Sequence, residues 1–219
     1  MFLGHFGVAF AAKRAAPTVS LGTLFLACEF VDLVWPVLVL AGIEAVAIRP
    51  GITAFTPLDF EYYPWSHSLL MGAIWAIAFG AVYFARKRRW LTAAVVALVV
   101  LSHWFLDLVV HRPDLPFAPG GSGIKVGFAL WNSLAGTLIV EGAIFVVGVR
   151  FYLAGSLARD RIGHWALHAL LAFLVLAYVG VAFGPPPPSV PAIAWTGIAG
   201  GLVTVALGYW IDRHRTLKG

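Results

Sequence analysis

Apolar positions in this chain come in long runs separated by short polar segments, and that pattern predicts helices that cross a bilayer. A spanning helix needs roughly 20 mostly apolar residues. Runs of that length cover 66–85, 90–111, 128–149, 162–183 and 191–211. A further run, 19–48, is longer and carries Glu29, Asp32 and Glu44. It reads as a span with a break or an oblique extension near Asp32 or Pro36. The opening run 2–12 is too short to cross and reads as a half-inserted or interfacial helix. Lys13 and Arg14 follow that run, the reverse of a secretory signal. The expected fold is all-α: one transmembrane domain over 1–219, with six transmembrane helices and the short N-terminal helix. Residues 1–150 would form the core that carries a site, and 151–219 two accessory spans.

Composition agrees with the pattern. The chain is 61% hydrophobic and 11% charged, against about 45–50% and about 25% in soluble domains. That excludes an ordinary cytosolic protein and a disordered chain. The net charge is +5 but the basic residues are scattered, which argues against nucleic acid as a partner. Cys28, the single cysteine, excludes a disulfide framework and a cysteine-built zinc site.

Basic residues set the expected orientation. Lys13, Arg14, Arg86, Lys87, Arg88, Arg89, Arg150, Arg159, Arg161, Arg213, Arg215 and Lys218 fall on one side of a six-span arrangement, and only Arg49, Arg112 and Lys125 on the other. Both termini are therefore expected in the cytoplasm, in a bacterial inner membrane. Loops 49–65, 112–127 and 184–190 would lie outside. The first two are rich in Pro, Gly, Asp and aromatics and suit covering a site. The third holds prolines 185–188, a stiff connector.

The acids inside the spans are the unusual feature. Glu29 and Asp32 lie in the first span, Asp107 in the third and Glu141 in the fourth, with no Lys or Arg inside any span. Ionised and unpaired, they would cost on the order of 10 kcal/mol. The other polar groups at similar depth are His67, His103 and His111. Either the acids are protonated, or a cation sits among them. The stretch His103-Trp-Phe-Leu-Asp107 places imidazole and carboxylate four apart on one helix face, with His111 continuing the stripe. Asp32, His67 and Glu141 can complete a shell from other spans. This donor set suits zinc, with manganese or iron(II) as alternatives, better than magnesium or calcium. His164 and His168 are also four apart, and read as a polar interfacial face.

Three stretches resemble a known family: Pro57-Leu-Asp-Phe-Glu-Tyr-Tyr-Pro-Trp-Ser-His67-Ser-Leu, Ser102-His-Trp-Phe-Leu-Asp-Leu-Val-Val-His-Arg-Pro-Asp-Leu-Pro116, and Leu130-Trp-Asn followed by Glu141. They look like a group of bacterial integral membrane proteins that is distantly similar to the membrane-bound metal-dependent hydrolases. The resemblance covers about residues 1–150 and implies His5, Asp32, His67, His103 and Asp107 as matching positions. His5 as a ligand comes from the resemblance alone. Glu29-Phe-Val-Asp32 replaces a segment that often has a proline and paired aspartates, and Pro64-Trp65 replaces a basic pair. His-x-x-x-Asp also occurs in zinc phospholipases C and related nucleases.

The resulting expectation is metal-assisted hydrolysis of a lipid-linked or membrane-partitioned (phospho)ester. The metal ligands would be His67, His103, Asp107, Asp32 and His5. Glu141 or Glu29 would serve as general base or further ligand, and His111 would protonate a leaving group. A proton or divalent-cation transporter, or a scaffold with a structural metal, are the competing classes.

Overall fold

The computed structural model describes residues 1–120 and 123–217; Lys218, one of the basic residues used for orientation, lies outside them. The chain is nearly all helix. It begins with α1 (Leu3–Ala15), α2 (Leu21–Cys28), α3 (Phe30–Leu40), α4 (Pro64–His67), α5 (Leu69–Lys87) and α6 (Trp90–Val110). A 3₁₀ turn at Leu130–Asn132 leads into α7 (Leu134–Gly155), α8 (Arg161–Phe183) and α9 (Val190–Arg213). Five helices, α5 to α9, are long and apolar enough to cross a bilayer, and the bent pair α2–α3 makes up to six.

Local chemistry explains the boundaries. Ser20, Ser68, Ser133, Asp160 and Ser189 each accept a backbone N–H from the first turn of α2, α5, α7, α8 and α9. Such caps satisfy donors that a helix start leaves unpaired. The predicted span starting at 128 begins later, at Leu134, because the Ser133 cap follows the 3₁₀ turn. The predicted break in the first span falls at Glu29, not at Asp32 or Pro36. Glu29 is both the end of α2 and the start of α3, and the two helices meet at 49°.

The all-α expectation misses three short antiparallel pairs. Strands β1 (Ala45–Ile48) and β2 (Leu58–Tyr62) form a hairpin, β3 (Leu115–Pro116) pairs with β4 (Lys125–Val126), and β5 (Ser156–Ala158) pairs with β6 (Arg215–Leu217). The tail of the run 19–48 is thus a strand and not membrane helix.

Helix α1 is not interfacial. Its Leu3, His5, Phe6, Ala9, Phe10 and Lys13 are buried, and it runs through the core beside α7, α2 and α6. Glycines allow this depth. A Cβ on Gly148 would collide with the Gly7 carbonyl, and one on Gly208 would press on the Gly22 backbone. Small residues at such crossings let helices in lipid approach closely. On α6 the buried positions Val96, Val99, Val100, His103, Trp104, Asp107 and Val110 repeat at helical spacing, so its inward stripe carries the histidine and the acid together.

One end of the bundle is held by basic residues. Lys13 Nζ lies 2.9 Å from Asp212 and donates to the Val19 carbonyl at 2.6 Å. Arg215 donates to Ser156 and to the Gly163 carbonyl, and its guanidinium lies over the Tyr152 ring. His214 pairs with Asp160 at 2.7 Å, and the hydrogen bond holds the Asp160 carboxyl below its ordinary pKa.

Removing Lys13 strands a largely enclosed carboxylate, which costs about 3 kcal/mol. Lys13→Ala should therefore lower the thermal midpoint in detergent clearly. Adding Asp212→Asn should restore part of the loss. An additive double variant would show that the pair contributes nothing.

Candidate metal centre

The site is assembled where α1, the α2–α3 break, α4 and α6 meet. Asp107 is its centre. Its Oδ2 lies 3.1 Å from His103 Nε2, 3.8 Å from His67 Nε2 and 3.9 Å from His111 Nε2. Its Oδ1 lies 3.2 Å from His5 Nε2. Asp32 Oδ1 lies 3.3 Å from His67 Nε2 and 3.5 Å from His103 Nε2. Two overlapping ligand groups result: His5, His103 and Asp107, and Asp32, His67 and His103, each with ligand atoms within 4.8 Å of one another. His103 belongs to both. The imidazoles of His5 and His103 stack with centroids 3.8 Å apart and planes within 6°.

The outer partners of the histidines set their tautomers. His103 Nδ1 lies 2.9 Å from the Cys28 carbonyl. A carbonyl only accepts, so Nδ1 carries a proton and Nε2 is the nitrogen left to face the carboxylates. His67 Nδ1 lies 2.7 Å from Ser66 Oγ, which donates at 2.6 Å to Glu44. Glu44 also accepts the backbone N–H groups of Trp65 and Ser66, fixing α4 as well as its histidine. His111 Nδ1 lies 3.1 Å from Asp114, to which Tyr63 also donates at 2.8 Å. In each case the free Nε2 points at the carboxylates. Metal-bound histidines are held in this way by outer partners.

The fit to a metal rests on atoms as well as distances. His103 Nε2 and both ring nitrogens of His5 are buried and make no hydrogen bond of acceptable geometry. Orphaned buried nitrogens are rare and costly, yet here His103 Nε2 faces both Asp107 and Asp32, and His5 Nε2 faces Asp107. That is the donor set of a divalent transition metal. The Met1 backbone nitrogen lies 2.5 Å from Asp107 Oδ1.

The remaining expected residues are placed differently. Glu141 is fully buried on α7, where its Oε2 accepts from the N–H groups of Phe2 and Gly4 at 2.7 and 3.4 Å. It caps α1 and belongs to neither ligand group. His5, given as a ligand by the resemblance alone, sits in the cluster because α1 is buried. His111 is enclosed by Phe60, Tyr63 and Trp131. Glu29 is buried beside Asp32, with Cys28 Sγ 3.8 Å from its Oε1. His164 and His168 lie far along the chain in α8, on an exposed face and outside both groups.

Loops 49–65 and 112–127 pair with each other beside this cluster. Arg112 lies 2.6 Å from Asp59, and Arg49 bridges Asp59 and Glu61. Asp59 is therefore a paired, buried acid and not a solvated one. Burial pushes the Tyr63 hydroxyl well above its ordinary pKa, and the adjacent Asp114 carboxylate adds to the rise. Burial also works to raise Asp114, but hydrogen bonds from His111 and Tyr63 outweigh it and hold its carboxyl below the usual range.

A cavity of about 750 Å³ adjoins the cluster, and Asp32 and Glu29 lie on its wall. Its other walls come from loop 50–58, from α8 and α9, and from prolines 185–188. The accessory spans thus complete a chamber whose one acidic corner is the α2–α3 break. Comparison with protein-family models, curated proteins and solved structures returns no match, so the chemistry has to be read from this geometry.

Glu44 was legible only as one more acid in a long run. Its role depends on the hairpin that turns β1 back toward α4. Glu44→Gln should keep the fold and weaken metal affinity about 10- to 100-fold, as loss of an outer partner does. Competition against a chelator measures this, and unchanged affinity would remove Glu44 from the site.

Proposed function

We propose that this protein is a membrane-embedded, metal-dependent hydrolase acting on a lipid-linked or membrane-partitioned ester, with a phosphoester favoured. The observation that carries the reading is that Asp32 belongs both to a ligand group and to the wall of a large cavity. Catalytic metal sites keep an open side, whereas structural ones are closed. The donor set favours zinc, with manganese or iron(II) as alternatives. The resemblance of segments 57–69 and 102–116 to the membrane-bound metal-dependent hydrolases points the same way.

His5, His67, His103, Asp32 and Asp107 would hold the metal. A divalent cation there supplies Lewis acidity toward an ester oxygen and toward water. The chain's own groups do the rest. Glu29, on the same wall as Asp32, accepts the proton of the attacking water and returns it to the leaving oxygen. A buried carboxyl is suited to this exchange. Glu141 holds the start of α1, and so His5, in register with Asp107. His111 braces Asp107 from the loop side, since it does not reach the cavity. The basic ends of α1, α7 and α9 would face the cytoplasm of a bacterial inner membrane, with the cluster in the outer half.

His103→Ala and Asp107→Ala, purified from metal-replete cells, should each lose bound metal by elemental analysis and lose hydrolysis of phospholipids or lipid-linked phosphates. Glu29→Gln should keep the metal and lower kcat about 10²- to 10⁴-fold, the usual contribution of a general base. A metal-free wild type, or full activity in the two ligand variants, would reject the reading.

A further inference from the structure

We propose that the cavity holds a single apolar chain of a bilayer lipid, admitted sideways between α8 and α9, with the lipid's polar end at Glu29 and Asp32. Only the placing of the polar end rests on the hydrolase reading. The chain site stands on the cavity itself.

The volume, about 750 Å³, is within the range of small-molecule pockets. Its charge is one-sided. The two carboxylates stand at the α2–α3 break, while the rest is mainly apolar, with Phe6, Phe173, Leu174, Ala177, Val181 and Ile193 on the walls and Thr53, Thr56 and Thr196 as uncharged polar groups. Thr204 also faces it, but its hydroxyl is spent on the Gly200 and Gly201 carbonyls. Along α9 the lining runs from Ala192 to Thr204, about 18 Å of helix axis, a length suited to an extended chain.

The mouth lies within the spans. Gly180 and Val181 on α8, and Thr196 and Gly197 on α9, line the cavity and are themselves exposed. A Cβ built on Gly180, Gly197 or Gly200 would meet nothing within 4 Å. Neither wall carries a side chain at these glycines, so the space in front of them is open. Prolines 185–188 and loop residues from Pro50 to Leu58 line the outer end, where a stiff segment limits collapse.

These walls select an alkyl chain over a peptide. An inserted peptide would bring N–H and C=O groups that need partners in an apolar setting, and the walls offer few. An alkyl chain needs none and is the surrounding solvent of α8 and α9.

Native mass spectrometry of the detergent-purified protein with added phosphatidylglycerol tests the site. Wild type should retain one lipid per chain. Gly197→Phe and Gly180→Phe, which fill the mouth from opposite walls, should each weaken retention about tenfold, equivalent to roughly two methylenes losing burial. Both should keep wild-type metal content. Gly142→Phe, at an equally open position on α7 off the cavity, should retain lipid normally. Full retention in both mouth variants, or equal loss in Gly142→Phe, would overturn the proposal. Asp32→Asn separates the two readings, since it should lose metal and hydrolysis yet keep the lipid. Lipid bound at one per chain without any hydrolysis would sink the enzyme and leave the chain site. Hydrolysis without selective lipid retention would do the opposite.

Discussion

The constraint on which the structure depends is the enclosure of Asp107. A carboxylate in a helix meant for lipid is tolerated only if its surroundings supply compensation. Here the supply comes from two other helices and from α6 and its C-terminal end: His5 from α1, His67 from α4, and His103 and His111. The unusual features of the fold follow from that need. Helix α1 carries His5 in its first turn. It is buried because His5 must reach Oδ1, and its glycine crossing with α7 makes that depth possible.

The same need accounts for the outer partners. Four imidazoles facing two carboxylates would be free to rotate and to bond each other wrongly. The Cys28 carbonyl, the Ser66–Glu44 pair and Asp114 each hold one ring nitrogen on the far side. The Cys28 carbonyl is available because α2 stops there. The kink at Glu29 therefore does two jobs: it exposes a backbone acceptor to His103 and turns Asp32 toward both the cluster and the cavity. A straight helix through residue 29 would do neither.

This division explains what was legible from the chain. His103 and Asp107 were readable because four residues on one helix face is local geometry. The spans at 90–111, 162–183 and 191–211 were readable because hydropathy alone decides them. His5 was out of reach of such reasoning, since a 13-residue helix gives no sign of how deep it sits. Glu141 looked like a site acid because burial and capping share one signature in sequence, and only the N–H groups of Phe2 and Gly4 separate them. Glu44 looked like one more acid in a long apolar run because its partner, Ser66, arrives through the β1–β2 hairpin, and Asp59 in loop 49–65 gave no sign of Arg112, which arrives through the loop after α6. Long-range pairing of that kind leaves no periodic trace.

Transport is the reading that uses the same residues differently, and the interior beneath the cluster speaks against it. An ion passing through would need polar groups from the cluster to the basic end of the bundle. Between them α1, α2 and α7 interlock Phe6, Phe10, Phe25, Phe145 and Tyr152, with ring centroids 5.1 to 6.1 Å apart. Leu24, Val96 and Val100, all fully buried, fill the gaps around them. Aromatic rings packed edge to face at that spacing leave no room for a hydrated path. The carboxylates communicate sideways, through Asp32 and Glu29 into the chamber bounded by α8 and α9. A cluster packed against apolar side chains on one side and joined to a chamber through Asp32 and Glu29 has the access that the proposed chemistry requires and that conduction does not.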